Sequence, residues 1–287
     1  MPKKPRSRTA DMRDPKTVAF WSFLVVALVA IVAGYYVSTT RSSADSEYTS
    51  TYVPGQISAP APITPHHQIP QVMQRLDDPS HAFQLVVLGD STGAAREGWV
   101  VQVARALGDK TGRAVNFHQW SVEQEPDVYL APWSIARGGD QPVTVWNGSA
   151  SGKNAEYTSA HWDELVPIPK DEVDLVLINH GHNEPAGALA GDALNLADMA
   201  VTQFPNAAVA GILQNPERPG SPNADVQDRN VAALQELMTS SGYETIDVHA
   251  PYRTMPGWEA AFDAGDLHPN QAGYDLWTGV VRQALGV

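Results

Sequence analysis

Ser91 stands in the stretch Leu88-Gly89-Asp90-Ser91-Thr92-Gly93, where a short apolar run gives way to glycine and small polar residues. A serine hydroxyl is a weak nucleophile until a base takes its proton, so it does chemistry only with an imidazole or an equivalent group at hand. His268, in Asp263-Ala264-Gly265-Asp266-Leu267-His268-Pro269-Asn270, is the candidate base. An ordinary imidazole titrates near ~6.5 and can both take and return a proton at neutral pH. Asp266 is the candidate to hold that ring in the useful tautomer, and Asp263 is the other nearby carboxylate.

Two further stretches offer donors to a developing negative charge. Gly152 closes Asn147-Gly148-Ser149-Ala150-Ser151-Gly152 and presents an unblocked backbone N–H, while Asn183, in Asn179-His180-Gly181-His182-Asn183-Glu184, carries a neutral side-chain amide. The N–H of Ser91 is a third donor if Ser91 opens a helix. Each piece also has a plainer reading: Asp90, Ser91, Asp266 and Asn270 are all residue types that cap helices, and the glycine-rich stretch is an ordinary turn. Asn147 and Ser149 complete a glycosylation sequon, a short match expected by chance. His180 and His182 alternate as metal ligands can, but with no convincing third partner they indicate no metal site. One is expected to line the cleft and the other to pack; the scheme requires no cofactor.

The elements that must position these residues follow from the apolar pattern. Gln84–Leu88, Ala114–His118, Val143–Trp146, Val173–Ile178, Ala207–Leu213 and Tyr243–Val248 read as short strands. Helical spacing recurs from Trp99 to Leu107, Leu189–Phe204, Asp225–Ser241 and Gln271–Leu285. Strands crossed over by helices predict a three-layer α/β/α sandwich, flavodoxin-like, with a five-stranded parallel sheet. An irregular insertion with Pro126, Pro132, Gly138 and Gly139 separates two of the strands. Ligands of such sheets bind outside the carboxyl ends of the strands, and the four chemical stretches all fall there or at the start of the last helix.

Taken together, these four places resemble the SGNH hydrolases, also called GDSL-type esterases, in which Ser, Gly, Asn and His mark four blocks in this order. The resemblance covers nearly all of Phe83–Val287 and is most specific at Gly89–Ser91, Gly181–Asn183 and His268–Pro269. It implies Ser91 as nucleophile, His268 as base, and the Ser91 N–H, the Gly152 N–H and the Asn183 amide as oxyanion hole. The Gly-His-Asn order is similar to that of carbohydrate acetylesterases in the family. One departure stands out: the family usually has its Asp three residues before the His, where this chain has Gly265, so Asp266 is preferred with Asp263 behind it.

Composition bounds the rest. Lys+Arg 19 against Asp+Glu 32 gives a net charge of -13 over 287 residues, which repels nucleic acid. There are no cysteines, so disulfides and thiolate zinc sites are excluded. Val18–Val37 is uncharged and strongly apolar, long enough to span a bilayer as a helix; Lys3, Lys4, Arg6, Arg8, Arg13 and Lys16 precede it. The expected organisation is a basic cytoplasmic tail over 1–17, a signal anchor over 18–37, a Ser/Thr/Pro-rich extracytoplasmic linker over 38–82 and a catalytic domain over 83–287. Cleavage near Ser42–Ala44, giving a secreted form, is the alternative. His66 and His67 belong to the linker in this reading. The oligomeric state is open.

Three rival readings remain. Gly89–Gly93 also satisfies the Gly-x-Ser-x-Gly elbow of α/β-hydrolases, which predicts several strands before the serine. An acyltransferase would share the acyl-enzyme and differ in its acceptor. A non-catalytic binding module would use tryptophans such as Trp99, Trp120, Trp133, Trp146, Trp162, Trp258 and Trp277 as sugar platforms, although tryptophan more often packs in cores.

Overall fold

Along β1 (Phe83–Gly89), Leu85 and Val87 pack into one apolar cluster, and Val86 and Leu88 into another. A strand that is apolar on both faces has to be covered on both faces. The computed structural model, which describes residues 66–124, 126–263 and 267–287, shows that covering. Helices Trp99–Thr111 and Gln271–Leu285 lie in the first cluster, where Trp99 and Trp277 are fully buried and stack with ring centroids 5.6 Å apart. Helices Leu189–Gln203 and Ala224–Ser240 lie in the second, through Leu196, Ala200, Leu234 and Met238. The result is a three-layer α/β/α sandwich.

The remaining strands are β2 (Arg113–Ser121), β3 (Val128–Tyr129), β4 (Trp133–Ala136), β5 (Gly139–Ser149), β6 (Leu175–Asn179), β7 (Ala208–Leu213) and β8 (Glu244–Asp247). They order as β3-β2-β5-β1-β6-β7-β8, with β4 also on β2. All pairings in β2-β5-β1-β6-β7-β8 are parallel. The parallel sheet therefore has six strands rather than five, and β3 and β4 add to it antiparallel. These two come from the insertion expected to be irregular; its prolines leave only short runs, which pair as edge additions to β2.

A second correction concerns the start of the globular unit. Ile69–Leu76, assigned above to the linker, is a helix whose Ile69, Val72, Met73 and Leu76 are buried in the first cluster. Pro70 does not break it, because proline is tolerated in the first turn of a helix. The spacing of the four apolar residues was a helical signal that the surrounding prolines obscured. The predicted anchor at 18–37 lies outside the described residues. Among the described residues no helix is long and apolar enough to cross a membrane.

Connections leave β1 and its neighbours β5 and β6 on opposite faces of the sheet. Helix Trp99–Thr111 leads to β2 on one face, whereas the helices after β5, β6 and β7 lie on the other. That reversal makes the carboxyl end of β1 a topological switch point, where a crevice opens. Ser91 stands there.

Candidate active site

Three of the chemical stretches start at one level because their strands end in register. Gly89 of β1 lies opposite Ser149 of β5 and Asn179 of β6. Glycine is required at 89, since a Cβ there would overlap the Asn179 carbonyl. Two bonds extend the pairing past the strands: Ala150 N–H donates to Gly89 O (2.8 Å) and Asp90 N–H to Asn179 O (3.2 Å). The chain then turns sharply. Asp90, fully buried, caps the short helix Ser91–Ala94, its Oδ1 accepting from Thr92 N (3.0 Å) and Thr92 Oγ1 (2.7 Å). The capping role thus falls to Asp90, and the Ser91 hydroxyl is left for other work.

That hydroxyl meets His268: Oγ and Nε2 are 2.8 Å apart. At this separation an imidazole nitrogen can accept the serine proton directly. The loop carrying His268 is pinned at its base, where Phe262 bridges Pro269 and Asp263 N–H donates to His268 O (3.0 Å). Asn270 then caps the last helix, accepting from Gly273 N (3.3 Å), which fixes where the helix begins and the loop ends. The Asp263 side chain is exposed, and Asp266 lies outside the described residues.

Gly152 has φ +73°, a left-handed conformation that suits glycine, and it lies exposed beyond β5. The Asn183 amide reaches towards the same turn, donating from Nδ2 to Lys153 O (3.1 Å). The structure thereby joins the second and third stretches, beside the pair formed by the first and fourth. An amide nitrogen carries two hydrogens, so one such bond leaves Asn183 a second N–H to offer.

A fifth stretch went unnoticed in the sequence. Gln214 and Asn215 follow β7 immediately and are fully buried. Gln214 Nε2 lies 3.0 Å from Asp90 Oδ2, 3.1 Å from Thr92 Oγ1 and 2.9 Å from Asn179 O, while its Oε1 accepts from His182 N (3.0 Å). One side chain therefore ties the serine turn to the stretch that carries Asn183. Asn215 extends the link to the residue beside His268, with His182 Nε2 at 3.3 Å from its Oδ1 and Leu267 O at 3.4 Å from its Nδ2. The signal was available: two amides directly after a fully apolar strand, at the same sheet edge as the others.

The two histidines of the third stretch differ. His180 is fully buried, with Nε2 2.9 Å from Thr158 Oγ1, and burial pulls its pKa down to about 4, so it packs as a neutral ring. The His182 side chain is also buried, but faces Glu217 at 3.2 Å and lines a cavity. The hydrogen bond from His182 holds the Glu217 carboxyl below its usual range. Glu184 is pushed up to about 8 by burial, against the hydrogen bond it accepts from Ala155 N (2.6 Å). Among the described residues no group of three or more His, Cys, Asp or Glu could hold a metal ion.

Solved structures with a similar fold have low sequence identity. A lipase/acylhydrolase from Enterococcus faecalis is 18% identical, with a TM-score of 0.52 over 71% of this chain and 96% of that one. A member of the lipolytic G-D-S-L family from Veillonella parvula is 13% identical, with a TM-score of 0.51 over 70% and 97%. An acetylxylan esterase from Geobacillus stearothermophilus is 16% identical, with a TM-score of 0.50 over 72% and 96%. Among curated proteins none matches. The family model for GDSL-like lipases and acylhydrolases matches residues 87–276, from the middle of β1 into the last helix, and by that match the chain belongs to this family of carboxylic ester hydrolases.

Proposed function

We propose that the chain is a membrane-anchored, extracytoplasmic serine esterase that works through an acyl-enzyme on Ser91, with O-acetyl groups on carbohydrate as its favoured substrates. The observation that carries the chemistry is the 2.8 Å separation of Ser91 Oγ and His268 Nε2. His268 Nε2 takes the hydroxyl proton as Oγ bonds to the ester carbonyl carbon, and the carbonyl π pair moves onto oxygen. The resulting oxyanion is met by the N–H groups of Ser91 and Gly152 and by the Asn183 amide. Collapse breaks the bond to the alcohol oxygen, which leaves with the proton from His268. Water repeats the sequence on the acyl-enzyme, releasing the acid and restoring Ser91. Asp266 holds the other ring nitrogen in its protonated form.

The acetylated-carbohydrate reading is supported by the similar fold of the acetylxylan esterase and by the polar residues behind the Asn183 stretch. The anchor rests on the apolar run 18–37 and the cations before it. The test is turnover of aryl acetate, aryl ester of long chain and acetylated oligosaccharide by the wild type and by Ser91→Ala and His268→Ala. Each substitution is expected to lower turnover at least about 1,000-fold. Full activity in Ser91→Ala would overturn the proposal, and preference for long chains would move the substrate to lipid esters. Asp266→Asn should slow the enzyme where Asp263→Asn does not. Fractionation with membranes, and loss of the bulk of the protein to external protease on intact cells, tests the anchor. A soluble form starting after Ala44 would replace it with secretion.

A further inference from the structure

Gly152 has no side chain with which to hold its place, and both it and Ser151 lie exposed. An oxyanion donor has to be fixed all the same, because a shift of about 1 Å can cost about 100-fold in rate. The bonds that fix this one are made by the residues just after it. Lys153 N–H donates back to Ala150 O (3.2 Å), which closes the turn. Lys153 O accepts from Asn183 Nδ2 (3.1 Å), and Ala155 N–H donates to Glu184 Oε1 (2.6 Å). Two successive residues of the Asn183 stretch therefore grip alternate residues of the Gly152 stretch.

The plainer account of Glu184 is a helix cap. The first N–H groups of a helix have no partner within it, and Ala155 opens helix Ala155–Ala160. That helix already has a cap, however, since Asn154 Oδ1 accepts from Tyr157 N (3.2 Å). A carboxyl is also a costly acceptor in this place. The Glu184 side chain is fully buried, burial raises its pKa to about 8 against the bond from Ala155, and its Oε2 has no partner among the described residues. Burying an acid with one oxygen unsatisfied lowers stability, and a single helix-end N–H does not offset that. Groups shifted this far collect at functional sites.

We propose that Glu184 is a positioning residue for ester cleavage, which acts through Ala155 to set the Gly152 N–H and the Asn183 amide at one fixed separation, so that both meet the same oxyanion. The inference rests on the oxyanion roles of Gly152 and Asn183 given above. Glu184 works through the backbone and not on the substrate. Because the oxyanion develops only in the transition state, loss of the clamp lowers kcat and leaves KM nearly alone.

The experiment measures kcat and KM for a small aryl acetate, together with thermal unfolding, in full-length wild type, Glu184→Ala, Glu184→Gln and the double variant Glu184→Ala with Ala155→Pro. Glu184→Ala is expected to lower kcat about 10 to 100-fold with KM within about twofold. Glu184→Gln keeps an oxygen for the Ala155 N–H and should recover most of that loss. The double variant removes donor and acceptor together, so neither is left buried without a partner. Proline is tolerated at the first position of a helix, and Asn154 before it is extended, as a residue preceding proline prefers. This variant should unfold near the wild-type Tm while keeping the low kcat of Glu184→Ala. A purely structural Glu184 gives the reverse, a lowered Tm in Glu184→Ala with kcat of the folded protein unchanged, and that result overturns the inference. So does a kcat in Glu184→Gln as low as in Glu184→Ala, or failure of Glu184→Ala and the double variant alike to fold, which assigns the bond to stability. Failure of the esterase reading is seen separately, since Ser91→Ala would then keep its activity whatever Glu184 does.

Discussion

Two buried polar clusters flank the end of β6, and they are built to different standards. Beneath the serine turn, Asp90, Thr92, Asn179 and Gln214 bond to one another, and Asn179 Nδ2 donates to Thr92 Oγ1 (3.1 Å). No side-chain atom of these four appears among the buried atoms without partners. In the second cluster, His180 Nδ1, Glu184 Oε2 and Gln227 Nε2 lack partners among the described residues, although His180 and Glu184 face each other at 3.9 Å. A satisfied buried network fixes a single arrangement, whereas an unsatisfied one is costly unless something else enters. The first cluster underlies the serine turn, where placement within tenths of an ångström matters to chemistry. The second is sealed from solvent, with the His180 and Glu184 side chains fully buried.

The largest effect expected is at Asn183, in the same turn as His180 and Glu184. Asn183→Ala should lower kcat about 100 to 1,000-fold with little change in stability, as loss of one oxyanion donor does. An unchanged kcat would remove Asn183 from the reaction and leave its bond to Lys153 O as its whole role. Next comes Gln214→Leu, which leaves Asp90 Oδ2 and the His182 N–H without their partner at nearly constant volume. A loss of about 2 to 4 kcal/mol in denaturant unfolding is predicted, together with slower turnover. If Gln214→Leu were as stable as the wild type, the contrast between the two clusters would fail.

The incomplete cluster should announce itself in the pH dependence of stability. Burial raises Glu184 from 4.5 to about 8, so between these values the folded state holds a proton that the unfolded state has lost, and stability falls as pH rises. Burial lowers His180 from 6.5 to about 4, so between these values the unfolded state holds the extra proton, and stability rises with pH. The two slopes oppose each other up to about pH 6.5, and above it the fall towards about 8 stands alone. Its slope approaches about 1.4 kcal/mol per pH unit. Glu184→Gln removes that fall and leaves a rise that levels off near pH 6.5; unfolding curves across the pH range give the comparison. The smallest effect is Thr158→Val, which deletes the one bond that His180 makes through Nε2 and should destabilise by about 1 kcal/mol.

Much of the site was legible in the chain because its members sit at strand ends, and strand ends are local features. The runs ending near Gly89 and Asn179 are apolar from Leu85 to Leu88 and from Leu175 to Ile178, so their ends and the residues just beyond them could be read directly. His268 was legible as a candidate base by residue type and by its place before the last helix. Its meeting with Ser91, across 177 positions, was an expectation that only the assembled sheet could test. Helix Ile69–Leu76 was hidden for a local reason, a linker composition surrounding four well-spaced apolar residues. The tryptophans of the binding-module reading answer in the same terms: Trp99 and Trp277 stack on each other in the core, and Trp120 and Trp162 are buried.

By itself, then, the sequence determined the alternation of strands and helices, the four chemical stretches and their order, since periods of about 2.0 and 3.6 residues are written along the chain. Tertiary structure decided which strand ends are neighbours. The order β5-β1-β6-β7 brings Gly152, Ser91, Asn183 and Gln214 to one edge although it is not their order in the chain. It also decided that His180 packs while His182 faces Glu217, and that Gln227, in the first turn of a helix with no chemical signature, lies against Gly181. Such partnerships depend on distances through space, and no spacing along a single chain encodes them.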